Sequence, residues 1–242
     1  MKFYRRLNTI KAMSFDLDDT LYDNGPNVRK AEAWLQQYLR ETYPHLPFFE
    51  ALDWLKLRKT VLARQPQLGH DLSLLRIAVL TEFLQSYSTD IGVDTESAKA
   101  LATDIFQQFL AVRSDFVVPE KSLQVLATLS EKMPVIAITN GNVDTDAIGL
   151  TPYFSQVIKS SVEHKMKPAA DMFYLAARQL HVPKQHILHV GDHLISDVSG
   201  AVSNGLMAAW FNPQQKCLKQ GTKLTHLPDI ELSDLDELLS LL

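Results

Sequence analysis

Residues 12–21 read AMSFDLDDTL, and the fold turns on how that stretch divides. Ala12–Phe15 is a short apolar run, and Asp16-Leu17-Asp18-Asp19-Thr20 crowds three carboxylates and a hydroxyl directly after it. An apolar run of that length, bounded by polar turn residues, reads as a strand buried on both faces. Similar runs recur at Val135–Ile138, Val157–Ile158, Ile187–Val190 and Met207–Phe211. Helical spacing fills the gaps between the later ones. Lys121–Lys132 repeats Leu123, Leu126 and Leu129, Met172–Leu180 repeats Phe173, Ala176, Ala177 and Leu180, and Asp197–Asn204 stops at Gly205, a residue suited to a helix C-terminus. Alternating strand and helix predict an α/β fold with a doubly wound parallel sheet.

One region breaks the alternation. Between Tyr22 and Phe116 there is no convincing strand, only helical stretches near Asn27–Tyr43, Phe48–Arg64, Leu72–Tyr87 and Asp94–Arg113, punctuated by Pro44/Pro47, Pro66/Gly69 and Ile91-Gly92. The expected organisation is therefore a core built from residues 1–21 and 117–242, interrupted by an all-helical domain over 22–116.

Composition narrows the function classes. A net charge of −4 supplies no concentrated basic surface for a phosphate backbone, so nucleic acid is not an expected partner. The longest uncharged stretch, Ser199–Gln215, contains Asn204, Gly205, Asn212 and Pro213 and is unsuited to spanning a bilayer, so no membrane role is expected. The N-terminal MKFYRRLNTIK lacks an apolar run of signal-peptide length, and the single cysteine, Cys217, has no partner for a disulfide; both suggest a cytoplasmic chain. Oligomeric state is not legible.

In an open parallel sheet, ligands sit outside the carboxyl ends of the strands. The residues after the apolar runs are Asp16 through Thr20, then Thr139-Asn140-Gly141, then Lys165-Met166-Lys167-Pro168, then Gly191-Asp192 with Asp197 five residues on. Several carboxylates in one small site need protons or a cation to offset their repulsion, and oxygen ligands favour a hard ion, so Mg²⁺ is the expected cofactor. Helix capping accounts for single aspartates but not for Asp16 and Asp18 two residues apart on one strand exit. Asp19 and Asp23 read as turn or solvated carboxylates.

These segments resemble, in order, the four motifs of the haloacid dehalogenase superfamily: Phe15-Asp16-Leu17-Asp18-Asp19-Thr20-Leu21, Ile138-Thr139-Asn140-Gly141, Lys167-Pro168, and Gly191-Asp192 through Asp197. The helical insertion falls between the first and second, where that family carries its helical cap domains. The resemblance implies a Rossmann-like core, a cap over residues 22–116, and a phosphatase. It makes Asp16 the nucleophile and Asp18 the acid and then base. The metal ligands it implies are Asp16, Asp18 through its backbone carbonyl, Asp192, and Asp197 directly or through water, with orientation of Lys167 as the other role open to Asp197. Thr139, Asn140, Gly141 and Lys167 become the phosphate-binding set, with Pro168 favouring Lys167 over Lys165.

Several alternatives stay open on the residues alone. Dehalogenases of the superfamily lack the aspartate two positions after the nucleophile, so Asp18 argues against that chemistry, whereas a phosphomutase would use the same core. A receiver-like or phosphate-sensing protein is the non-enzyme reading. His186 and His189, three apart in an extended strand, face opposite ways and do not make a metal pair, so His189 is expected to pack within the sheet. His193 is a possible substrate contact. The substrate is expected to be a small phosphorylated metabolite. FDLDDTLYDNGPNV, ITNGNVD and GDHLISDVSGA resemble bacterial phosphatases acting on flavin mononucleotide and on the phosphorylated ribitylaminouracil of riboflavin synthesis, with sugar phosphates and nucleotides as alternatives. Trp34, Tyr38, Tyr43, Phe48, Phe49 and Trp54 are aromatics available to a flavin ring, although their helical spacing also suits a core.

Overall fold

The structure, a computed structural model, describes residues 1–46, 51–217 and 225–242. Phe48 and Phe49 lie outside the described residues. The strands are β1 (Lys2–Phe3), β2 (Ala12–Phe15), β3 (Val135–Thr139), β4 (Val157–Lys159), β5 (Ile187–Gly191), β6 (Met207–Phe211) and β7 (Ile230–Leu232). They form one sheet in the order β1-β7-β6-β5-β2-β3-β4, parallel throughout except for β1, which runs antiparallel to β7. The helices are α1 (Gly25–Thr42), α2 (Ala51–Arg64), α3 (Leu72–Ser86), α4 (Ser88–Ile91), α5 (Thr95–Arg113), α6 (Glu120–Lys132), α7 (Ala170–Leu180) and α8 (Gly200–Ser203).

The chain divides into two compact units, one comprising residues 1–24, 117–141 and 149–242, the other residues 25–116 and 142–148. The first holds the sheet. Every residue of β2, β3 and β5 is buried, which explains why those strands read as unbroken apolar runs rather than alternating ones. Ala12, Ile136, Ile138 and Ile187 pack with Met172, Phe173, Ala176 and Leu180 of α7 and with Val198 and Trp210. β2 lies centrally, paired with β3 on one side and β5 on the other, so the chain leaves its two flanks in different directions. That arrangement opens a crevice at the carboxyl end of β2.

The second unit is helical. Asp71 and Asp94 cap α3 and α5 by accepting hydrogen bonds from the backbone N–H groups of Leu74 and Ser97. Ala31, Leu35 and Leu39 form the buried stripe of α1, against Leu75, Val79, Leu80, Phe83 and Leu84 of α3 and Ala102, Ile105 and Phe109 of α5. Trp34 and Tyr38 stack with ring centroids 5.2 Å apart, and they, Tyr43 and Trp54 pack partly buried against this core. The Arg76 guanidinium lies over the rings of Trp54 and Phe109, at 4.6 and 4.0 Å from their centroids, and pairs with Glu32.

Four elements differ from the sequence expectation. β1 and β7 have two and three residues, too few for a periodic signal, and exist because each completes the ladder of a neighbour. Leu235–Leu241 forms a 3₁₀ helix behind a capping box in which Asp234 and Glu237 reciprocate. The helix expected over Asp197–Asn204 begins earlier, with a π-helical turn over Leu194–Ser199 that leads into α8, so Asp197 lies within it rather than at its start. Gly205, at φ 86°, closes it. Among the described residues no helix is long and apolar enough to cross a membrane.

Candidate active site

The site grows from the exit of β2. The Asp16 N–H still donates to the Val190 carbonyl at 2.9 Å, so the nucleophile candidate stands on the last rung of the ladder. The chain then folds back at once. Leu17 O accepts from the N–H groups of Thr20 and Leu21, Asp19 N–H donates to Tyr22 O, and Asp19 adopts φ 61°, a left-handed conformation that aspartate tolerates. The Asp19 carboxylate accepts from Asn24 N–H at 2.9 Å, which makes it a turn carboxylate. Thr20 links two strand exits: its hydroxyl accepts from Asp192 N–H at 3.1 Å and faces Asp16 Oδ2 at 3.5 Å. Asp18 Oδ1 accepts from the Tyr22 hydroxyl at 2.7 Å, fixing the orientation of its carboxylate.

Lys167 is the charge at the centre. Its Nζ lies 2.7 Å from Asp16 Oδ1 and 2.7 Å from Asp197 Oδ1, with its side chain 1% exposed. The backbone that carries it is held by Asn140, whose Oδ1 accepts from Lys167 N–H at 2.7 Å and whose Nδ2 donates to Lys167 O at 3.0 Å. Asn140 thus acts through its side chain as a clamp on the lysine segment, a role the sequence did not disclose. Thr139 is fully buried, and its Oγ1 accepts from Gly141 N–H at 2.9 Å, so that N–H, expected as a phosphate donor, is engaged within the turn.

Asp16, Asp192 and Asp197 each offer an oxygen within 4.8 Å of the others. Asp18's carboxylate is not one of the three. Asp197 receives the His193 N–H on Oδ2 at 2.9 Å and faces His189 Nε2 through Oδ1 at 3.3 Å. The His193 ring itself caps the π-helical turn, its Nδ1 accepting from Ile195 and Ser196 N–H at 3.3 and 3.1 Å. His186 Nδ1 faces the Thr9 carbonyl at 2.8 Å, away from His189.

Two glycines make this crowding possible. A β-carbon on Gly191 would stand 2.6 Å from Asp197 Cβ, and one on Gly141 would overlap Asp18 Oδ2 and lie 3.2 Å from Thr139 Oγ1. A side chain at 191 would meet an atom fixed to the backbone, whereas one at 141 would force the Asp18 carboxylate aside.

The electrostatics follow from burial. Burial raises the Asp16 carboxyl above the carboxylate range; the Lys167 ammonium opposes that shift, and the nearby Asp197 charge adds to it. Burial also works against ionised Asp197, but Lys167 and the His189 hydrogen bond outweigh it and hold Asp197 well below its ordinary value. The two carboxylates therefore share one ammonium unequally, with Asp197 the more firmly ionised. Burial, then Asp197 and Asp19, push Asp192 up to about 6. Burial disfavours the Lys167 charge, yet the two carboxylates prevail and its pKa rises. An oxygen-only donor set with surplus negative charge fits a hard divalent cation.

This sheet order, with a carboxylate pair at the central strand exit and an ammonium and more carboxylates at the neighbouring exits, defines a class. The chain belongs to the haloacid dehalogenase-like hydrolases, whose family model matches residues 10–205. It is 38% identical, over the full length of both chains, to the 5-amino-6-(5-phospho-D-ribitylamino)uracil phosphatase YigB of Escherichia coli K12. It is 24% identical over 213 residues, 85% of this chain and 84% of the other, to the N-acylneuraminate-9-phosphatase of Rattus norvegicus. Among solved structures, one described as a 2-haloacid dehalogenase from Pseudomonas syringae pv. Tomato DC3000 superposes with a TM-score of 0.88 at 33% identity, covering 96% of this chain and 98% of that one. HAD-hydrolase YfnB from Bacillus subtilis, solved bound to magnesium, shares the fold with a TM-score of 0.62 at 19% identity, over 96% of this chain and 98% of its own. Family membership and the full-length likeness to a phosphatase make this chain a phosphatase.

Proposed function

We propose that the chain is a Mg²⁺-dependent phosphomonoester hydrolase working through an aspartyl-phosphate on Asp16, with 5-amino-6-(5-phospho-D-ribitylamino)uracil and flavin mononucleotide as its preferred substrates. The observation that carries the chemistry is the pairing of Asp16 with Lys167 beside a second, separately oriented carboxylate, Asp18. The full-length likeness to the ribitylaminouracil phosphatase supports the substrate.

In this mechanism an Asp16 oxygen attacks phosphorus while the ester bond to the leaving oxygen breaks. Asp18, protonated, gives its proton to that oxygen. The Asp18 carboxylate then removes a proton from water, which attacks phosphorus and displaces the Asp16 oxygen, releasing phosphate and regenerating both carboxyl groups. Lys167 and the Thr139 hydroxyl stabilise charge on the phosphoryl oxygens, and Asn140 keeps Lys167 in register. Mg²⁺, held by Asp16, Asp192, Asp197 and the Asp18 carbonyl, would offset the carboxylate repulsion and neutralise phosphoryl charge. Asp18 is also the reason to favour this chemistry over dehalogenation, because halide departs without needing a proton and ester oxygen does not.

The test is phosphate release from flavin mononucleotide, the ribitylaminouracil phosphate, and a panel of sugar phosphates and nucleotides, with 2-haloacids as a parallel arm. Wild type and Asp16→Asn are compared with and without Mg²⁺. Magnesium-dependent release abolished by the substitution, with the flavin-pathway phosphates preferred, is the expected result. Halide release without phosphate release refutes the mechanism, and uniform turnover of the panel refutes the substrate assignment.

A further inference from the structure

Behind Asp197 lies a buried pair that the mechanism does not use. Ser14 and His189 are register partners on β2 and β5, 0% and 1% exposed. Ser14 Oγ is 2.9 Å from His189 Nδ1, and His189 Nε2 is 3.3 Å from Asp197 Oδ1, the same oxygen that meets Lys167 Nζ at 2.7 Å. The imidazole and the Phe173 ring pack at 90° with centroids 5.2 Å apart. An ionised carboxylate only accepts, so Nε2 must carry hydrogen. A neutral ring then leaves Nδ1 as an acceptor for the Ser14 hydroxyl.

We propose that Ser14 and His189 are positioning residues for phosphoryl transfer: the serine hydroxyl donates to Nδ1 and holds the imidazole in place, the imidazole N–H holds Asp197 Oδ1, and Asp197 in turn holds Lys167 against Asp16. This rests on the catalytic roles assigned above to Asp16 and Lys167. Neither residue touches substrate. Ser14, His189, Asp197 and Lys167 thereby act as one hydrogen-bonded line from the interior of the sheet to the nucleophile, and a core position two residues before Asp16 belongs to the site.

A packing role and a donor role predict opposite rankings for two substitutions of similar volume. His189→Leu fills the apolar surroundings but has no N–H; His189→Gln keeps an N–H near the Nε2 position and packs a polar amide less well. The proposal expects thermal midpoints with Leu at or above Gln, but kcat on flavin mononucleotide or a generic aryl phosphate with Gln within about tenfold of wild type and Leu at least a further tenfold below it. KM should move less than kcat. Nitrogen NMR of the wild-type ring should show hydrogen on Nε2, and Ser14→Ala, which releases Nδ1 but leaves the Asp197 carboxylate facing Nε2, should keep that hydrogen while lowering kcat. Equal kcat for Leu and Gln, or an Nδ1–H ring in the wild type, overturns the proposal. The NMR arm needs no turnover, so a wild type that released no phosphate yet kept the Nε2–H ring would indict the assigned reaction rather than the hydrogen-bonded line.

Discussion

Gly141→Ala is the sharpest single perturbation of the proposed chemistry. The added methyl would come under 3.0 Å from Asp18 Oδ2, against the 3.4 Å at which ordinary contact begins, and 3.2 Å from Asp18 Cγ and Thr139 Oγ1. Something must retreat by on the order of 1 Å, and the mobile partner is the Asp18 carboxylate, the end of a short flexible side chain. Its retreat strains the 2.7 Å hydrogen bond from the Tyr22 hydroxyl that orients it. A displacement of about 1 Å in a reacting group costs roughly 100-fold in rate. The fold should survive, since overpacking of this kind costs about 1–3 kcal/mol, or roughly 2–12 °C in thermal midpoint for a chain of this size. Steady-state kinetics on flavin mononucleotide, a thermal melt, and calorimetric Mg²⁺ titration are the assays. Expected are kcat down about 100-fold, KM nearly unchanged, and Mg²⁺ affinity retained, because the side chains of Asp16, Asp192 and Asp197 are untouched. A folded variant with kcat within about threefold of wild type, an order-of-magnitude criterion on the same scale, would refute the assignment of Asp18 as acid and base.

Gly191→Ala should be worse for stability than Gly141→Ala, because its methyl would meet Asp197 Cβ at 2.6 Å, an atom fixed to the backbone that cannot rotate aside; a smaller fall in thermal midpoint than in Gly141→Ala would refute this. Asn140→Ala removes both hydrogen bonds to the Lys167 backbone and should lower kcat about tenfold with Mg²⁺ affinity preserved, as read by kinetics beside calorimetry. Mg²⁺ affinity should climb with pH through about 6, where Asp192 gives up its proton. Below that, each displaced proton weakens apparent affinity by up to about tenfold per pH unit. Folding of the metal-free chain obeys the same linkage: with its pKa raised in the folded protein, Asp192 contributes stability that is fully present below the ordinary carboxylate range and is lost as pH rises through about 6. Mg²⁺ should therefore raise the thermal midpoint more at about pH 7.5 than at about pH 5, and an equal rise at both would refute it.

The sequence by itself determined the strands β2 to β6 and what stands at their ends. Buried parallel strands need uninterrupted apolar residues, and the polar residues directly after them have nowhere to go but the carboxyl edge; Asp16, Asp18, Thr139 and Asp192 were legible for that reason, whereas Lys167 and Asp197, farther along the chain, were singled out by the motif resemblance. Only the tertiary structure decided what those residues rest upon. Asn140 read as a phosphate-binding residue in the turn after a strand, and its side-chain clamp on Lys167 spans 27 positions in sequence. His189 read as strand filling and Ser14 passed unmarked within an apolar run, because a hydrogen bond between strands 175 residues apart leaves no trace in the spacing of either. The capping role of His193 was not legible either: the first turn of a helix needs an acceptor for its free N–H groups, and the ring supplies it. Short-range order is written in periodicity along the chain. Partners in a buried polar network are chosen by proximity, which exists only once the sheet has assembled.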